Sequence, residues 1–174
     1  MSQVSSSVGE KVAKIEMLVN QLKQMEGKEK ARDTLLGYAK YQMESYLTPP
    51  HIKLLASKLE AVERGDIKRL AIFMPPRHGK SILTSEFFPA WYLGRNPKKF
   101  IICSTYGQEL ADDFGRKVRN QLQDPHYQEI FPDVGLATDS SSMRRFNTSK
   151  GGVYYAVGAG SAITGRGAHL LLID

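Results

Sequence analysis

The stretch LAIFMPPRHGKSILTSEFFPAW, residues 70–91, decides how the rest of the chain is read. Residues 70–74 form a short apolar run between a basic pair, Lys68 and Arg69, and two prolines, long enough for a buried strand and too short for a helix. Residues 81–93 have the pattern of a helix. Between the two, Gly79-Lys80-Ser81 stands at a strand-to-helix junction. A phosphate chain needs backbone N–H groups around it, a helix N-terminus aimed at it, an ammonium on its terminal oxygens and a hydroxyl for the magnesium it carries. The triplet can supply each of these. The plain pattern GxxxxGK[ST] is not met, however, because Met74 stands where its first glycine belongs. Taken alone, the triplet also fits an ordinary helix N-terminus capped by Ser81.

Two further features favour a phosphate site. Arg77 adds a second cation to the loop, and the last residues, HLLLID, read as a buried strand ending in the carboxylate of Asp174. A carboxylate at the C-terminal end of a sheet strand can hold magnesium through water. A core strand followed by a helix-capping aspartate is the plainer alternative. Between these two segments, residues 99–104 (KFIICS) predict another buried strand, and residues 108–123 a helix with Leu110, Phe114, Val118 and Leu122 on one side. Residues 145–148 and 152–157 read as two short strands. Strand, helix, strand, helix implies an α/β fold with a parallel sheet.

Upstream the pattern is helical throughout. Residues 51–64 predict a helix that Gly65 ends as a C-terminal cap, set off by the break Thr48-Pro49-Pro50. A further helix is expected over residues 34–46. From Gly9, the apolar residues Val12, Ile15, Leu18, Val19, Leu22 and Met25 recur at steps of three and four, the mark of an amphipathic helix, and its stripe is expected to pack on its own domain. Residues 1–8, polar and serine-rich, are expected to fray.

The chain of 174 residues is about one domain long. Its 41% hydrophobic and 24% charged residues exclude a disordered chain. No run approaches the roughly 18 apolar residues of a membrane span, and the N-terminus lacks the apolar core of a signal peptide, so a cytoplasmic protein is expected. The lone cysteine, Cys103, reads as a small buried hydrophobe. His51, His78, His126 and His169 have no second ligand at zinc-site spacing, so a bound metal should have oxygen ligands. The net charge of +6 lies in the middle of the chain, since residues 1–48 carry +1, residues 49–99 carry +6 and residues 100–174 carry −1. Such a block suits a polyanionic partner or a solvated basic face. Phe87, Phe88 and Trp91 read as core, and Arg116, Lys117 and Arg119 as a solvated helix face. Arg144 and Arg145 beside Phe146 are candidates for a phosphate contact.

In order along the chain stand Pro50-His51 opening a helix, Gly65, Lys68-Arg69-Leu70 leading to Pro75-Pro76-Arg77-His78-Gly79-Lys80-Ser81, then Phe88-Pro89-Ala90-Trp91, Gly94-Arg95-Asn96-Pro97, Ile130-Phe131-Pro132 and Gly165-Arg166-Gly167-Ala168 before the acidic strand. In this combination the sequence resembles the ATPase domain of the large terminase subunit, the DNA-packaging motor of tailed bacteriophages, over residues 46–174. That family commonly lacks the first glycine and has an arginine where Arg77 stands. The resemblance implies a P-loop NTPase of the ASCE or RecA-like kind, a parallel sheet flanked by helices, here an incomplete domain over residues 46–174 preceded by a helical extension over residues 1–45. Pro76, Arg77, His78, Gly79, Lys80 and Ser81 would cradle the phosphates of ATP, with Lys80 on the β- and γ-phosphates and Arg77 beside them. Ser81 and Asp174 would hold Mg²⁺, and residues 46–51 would lie near the adenine. Arg166 would be an arginine finger reaching a neighbouring subunit's ATP, worth about 10³ to 10⁵ in rate where such fingers act.

The implied partners are double-stranded DNA, a homo-oligomeric ring, a portal protein and a small terminase subunit in the cytoplasm of an infected host, with no membrane. In the family, a carboxylate right after the strand-ending aspartate orients the attacking water, and a nuclease domain follows. The sequence stops at Asp174, so it is expected to behave as a truncated form that binds ATP with little or no turnover. Two other readings are a helicase-like or repair P-loop ATPase acting on DNA, and a non-catalytic DNA-binding or assembly module.

Overall fold

A long helix, α1 (Ser2–Asp33), opens the chain and is followed at once by α2 (Leu35–Gln42). The computed structural model describes residues 2–161 and 165–174, with side chains for all of these except residues 2–10, 12, 140 and 141. The join between the two helices is made by Thr34. Its backbone is extended, its Oγ1 accepts the N–H of Gly37 at 3.1 Å, and the same hydroxyl donates to the Lys30 carbonyl at 2.9 Å, so one side chain ends one helix and starts the next. Helix α3 (Pro50–Arg64) begins at a proline, where the missing N–H has no helical partner to lose, and ends at Gly65, whose φ of 85° is the left-handed cap conformation expected from sequence.

The segment from Lys80 to Arg95 is one continuous helical rod with a change of register inside it. Residues 82–87 form a π-helical turn (Ile82–Phe87), and α4 (Phe88–Arg95) continues in ordinary register. Pro89 explains the change. In an α-helix its ring would meet the Ser85 carbonyl, and it has no N–H to donate there. The wider turn relieves that clash, the Phe88 N–H bonding back five residues to the Leu83 carbonyl.

The remaining elements are β1 (Phe100–Thr105), α5 (Gln108–Gln123), α6 (Pro125–Ile130), β2 (Leu136–Ser141), β3 (Arg145–Thr148), β4 (Val153–Gly158) and β5 (Leu170–Ile173). They build a five-stranded sheet in the order β2-β3-β4-β1-β5. Strand β1 lies between two parallel partners, with Ile101 beside Tyr154 and Leu170, while β2, β3 and β4 run antiparallel. The fold is thus α/β with a mixed sheet, and the expectation of a wholly parallel one is corrected. Residues 145–158 form a hairpin, because Gly151 at φ 89° lets the chain turn back after Thr148.

Residues 70–74 form no strand. Leu70, Ile72 and Met74 are half-buried and alternate with exposed Ala71 and Phe73, so the segment has a strand's two faces but no ladder. A groove of about 680 Å³ lies between Leu70–Ile72 and β5, and the two edges do not pair.

The core lies on one face of the sheet, beneath α2, α3, α4 and α5. Tyr38, Phe88, Trp91 and Tyr127 are fully buried there, with Phe87 beside them, as expected for Phe87, Phe88 and Trp91. Their polar tips are satisfied: Tyr127 donates to the Ala90 carbonyl at 3.1 Å, Tyr38 to Gln121 Oε1 at 2.9 Å and the Trp91 indole to the Arg32 carbonyl at 3.1 Å. The end of α1 joins the same core through Ala31, and Glu60 accepts the Leu35 N–H at 2.8 Å.

The earlier part of α1 does not join it. Ile15, Leu18, Val19, Leu22 and Met25 are all exposed, between 42% and 65%, which corrects the expectation that the stripe packs on its own domain; the Val12 side chain is outside the described residues. Residues 2–8, expected to fray, continue the helix backbone. On β5, Leu170 is buried whereas Leu171 and Ile173 are exposed, so the second face of the sheet is open at that edge. Among the described residues no helix is long and apolar enough to cross a membrane.

Helix α5 lies against the sheet at Gly115. A Cβ there would overlap the Met143 carbonyl and come within 3.0 Å of the Ala156 Cβ. Gly115→Ala is expected to destabilise the fold by about 1–3 kcal/mol, the usual cost of overpacking, read from urea unfolding. An unchanged midpoint would contradict this close approach.

Candidate functional site

Residues 74–79 form a loop bent sharply in two places. Arg77 has φ 62°, the one positive value at a non-glycine position among the described residues, and Gly79 has φ 82°. A left-handed residue with a side chain costs on the order of 1–3 kcal/mol and persists where its surroundings enforce it, which is common at functional sites. Such kinked backbone is what anion-binding nests are made of. Gly79 is also a point of close approach, since a Cβ there would sit 3.1 Å from Ile52 Cδ1 of α3. The loop surrounds an open concavity of about 660 Å³ lined by Pro76, Arg77, Gly79, Lys80 and Ser81.

Beyond the loop the helix starts at Lys80, so its first N–H groups and the positive end of its dipole face that concavity. Arg77 and His78 are exposed. The His78 ring contacts the Pro76 carbonyl through Nδ1 at 2.7 Å and meets the His51 ring edge-on at 5.9 Å. The start of α3 is therefore next to the loop. Tyr46 packs on Phe87 at 5.3 Å, and its buried hydroxyl has no partner among the described residues.

Strand β5 brings Asp174 to the same place. Its N–H donates to the Ser104 carbonyl at 3.0 Å, extending the ladder with β1 by one bond. Lys80 Nζ donates to Asp174 Oδ1 at 2.8 Å, and Ser85 Oγ donates to Oδ2 at 2.7 Å. Burial pushes the Asp174 carboxyl up, but the hydrogen bonds from Lys80, Ser85 and Ser81 and the charge of Lys80 outweigh it, and the carboxyl is held below the usual aspartate value. One ammonium, two hydroxyls and a carboxylate thus converge at a helix start. Hydroxyl and carboxylate oxygens suit a hard divalent cation, and the ammonium with the loop N–H groups suits the phosphates that carry one.

Sequence reading missed Ser85. Its signal was Pro89 four residues on, which forces the wide turn that carries Thr84 and Ser85.

Arg166 is not brought to this site. It is exposed and its guanidinium lies 4.3 Å from the Tyr155 ring centre, on the loop before β5; residues 162–164 of that glycine-rich segment are outside the described residues. Arg144 is engaged by Asp112, at 3.1 Å to both carboxylate oxygens, and Arg145 lies 5.5 Å from the Tyr155 ring. Arg116 pairs with Asp113, and Lys117 reaches Glu86 at 2.6 Å. Cys103 is buried and its thiol is pushed up to about 11, chiefly by that burial, so it stays protonated. Among the described residues no cluster of three or more His, Cys, Asp or Glu side chains could hold a metal.

Residues 71–174 match the family model for the terminase large subunit, T4likevirus-type, N-terminal. No curated protein and no solved structure matches the chain.

Because the folded carboxyl of Asp174 is depressed, its contribution to stability is complete above the unfolded aspartate value, about 3.9, and is lost as pH falls through the lower folded value. Asp174→Asn is expected to be less stable than wild type near pH 7, with the gap closing below about pH 4 in thermal melts. A gap that stays constant down to the acid transition would show that the ion pair does not act as described.

Proposed function

The chain belongs to the T4-like family of terminase large-subunit N-terminal regions, and on that premise we propose that residues 74–81 and Asp174 form the ATP and magnesium site of a motor that drives double-stranded DNA into a procapsid. The family's role in outline is phage DNA packaging. The observation that carries the finer reading is the contact of Lys80 with Asp174 across 94 positions of sequence, which joins the glycine-lysine-serine helix start to the end of an apolar strand. That is the juxtaposition a P-loop NTPase needs.

In this reading the loop N–H groups and Lys80 bind the ATP phosphates, and Arg77, exposed on the rim, adds a second cation. Ser81 and Asp174 hold magnesium, which neutralises phosphate charge when bound. The Lys80–Asp174 pair neutralises the site internally. Lys80 would contact the phosphates and Asp174 would offer a carboxylate oxygen to the cation, so that binding would exchange partners within this pair. The base would lie toward the side of the loop that carries His51 and His78.

Arg166 has no role within its own site in this reading and is left to act on a neighbouring subunit, in a homo-oligomeric ring that also meets a portal protein and a small terminase subunit. Its exposure and its place on the loop before β5 support that.

The test is equilibrium binding of a fluorescent ATP analogue in the presence of Mg²⁺. Wild type is expected to bind, and Lys80→Ala to bind at least about thirtyfold more weakly, the loss of a charge-assisted contact worth about 2–3 kcal/mol. Equal binding by the two proteins, or none by a folded wild type, would overturn the reading and favour a non-catalytic assembly module.

A further inference from the structure

Asp174 uses its two oxygens differently. Oδ1 faces Lys80, a side chain about one-third exposed, while Oδ2 is bonded to Ser85, which is 1% exposed. The proton count on the π-helical turn fixes the direction of that bond. Thr84 Oγ1 donates its single proton to the Lys80 carbonyl at 3.0 Å, and the 3.2 Å contact between the Thr84 and Ser85 hydroxyls needs no proton of its own. The Ser85 proton is left for the carboxylate, a charge-assisted bond and the stronger of its choices. The carbonyl of Ser85 is the one that Pro89 frees from the α-helical ladder, so the turn carrying this hydroxyl is shaped by the sequence itself.

We infer that Ser85 is a positioning residue for Asp174: it holds Oδ2 in place while Lys80 exchanges partners, and so leaves Oδ1 as the oxygen offered to magnesium. The inference rests on the proposed nucleotide site. It gives the buried serine hydroxyl a role in cation binding beside that of Ser81, which also bonds the carboxylate. A carboxylate held at one oxygen loses less rotational freedom on binding a cation than one left unanchored.

The experiment titrates Mg²⁺ against a fixed concentration of fluorescent ATP analogue in wild type, Ser85→Ala and Thr84→Ala, with thermal melts of each. Ser85→Ala is expected to raise the Mg²⁺ concentration for half-maximal binding about five- to tenfold. Thr84→Ala removes a neighbouring buried hydroxyl that does not touch Asp174, and is expected to leave the Mg²⁺ requirement as in wild type. In an Asp174→Asn background, Ser85→Ala should have no further effect. An unshifted Mg²⁺ requirement in Ser85→Ala, or equal shifts in Ser85→Ala and Thr84→Ala, overturns the positioning role while the nucleotide site stands. Absence of nucleotide binding by the folded wild type overturns the site and this role together.

Discussion

A lysine and an aspartate 94 positions apart come within 2.8 Å because β1 accepts parallel partners on both sides. Strand β5 is short, and its register on β1 decides where its last carboxylate stands. A slip of one residue would turn Asp174 to the other face of the sheet. The bond from the Asp174 N–H to Ser104 secures that register at its final position. On the other side, the helix that begins at Lys80 is fixed by packing Phe88, Trp91 and Leu93 into the core. The site is thus where two separately anchored elements end, and its geometry follows from the core rather than from the loop alone.

The loop contributes what the core cannot. Its two left-handed residues and the start of the helix make a cation-rich concavity with backbone donors, which an aspartate alone would not provide. The aspartate neutralises the lysine. An incoming polyanion must compete with that pair, so the charge of the site is conditional on what is bound. The basic excess of residues 49–99, the segment that holds the loop, favours anionic encounter without deciding its specificity.

Much of this was legible in the sequence, for reasons particular to each element. Helix α5 and strands β1 and β5 declared themselves by clean apolar spacing, and Gly65 and Pro50 marked the limits of α3 by backbone chemistry. Lys80, Ser81 and Asp174 were readable because their residue types and places relative to apolar runs match a phosphate and cation site, and the structure brings those three together. Strand β2 was missed because LATDSS has neither alternation nor a rich set of β-branched residues, and it is held by pairing with β3. Residues 70–74 were read as a strand since apolarity cannot say whether a neighbouring edge is within reach; here a groove intervenes. The stripe of α1 was assigned to the core by periodicity, which reports an apolar face and not what covers it. Ser85 went unread because its place follows from a change of helical register that Pro89 imposes from four residues on.

That change of register has a bearing on how the sequence can vary. Relative to an α-helix, a π turn accommodates one extra residue, and in an α-helix one residue is a rotation of about 100°. Residue count between Ser81 and Phe88 therefore sets the phase between the site-facing and core-facing sides of the rod. Removing a single residue there could not be absorbed by relaxing to an α-helix, because Pro89 would still meet the carbonyl four residues back; with the wide turn kept and the aromatic anchors buried, Lys80 and Ser81 would rotate away from Asp174. Substitution in this turn is a local matter. A change in its length is not, because the turn works as a gear tooth between the hydrophobic interior and the charged end of the helix.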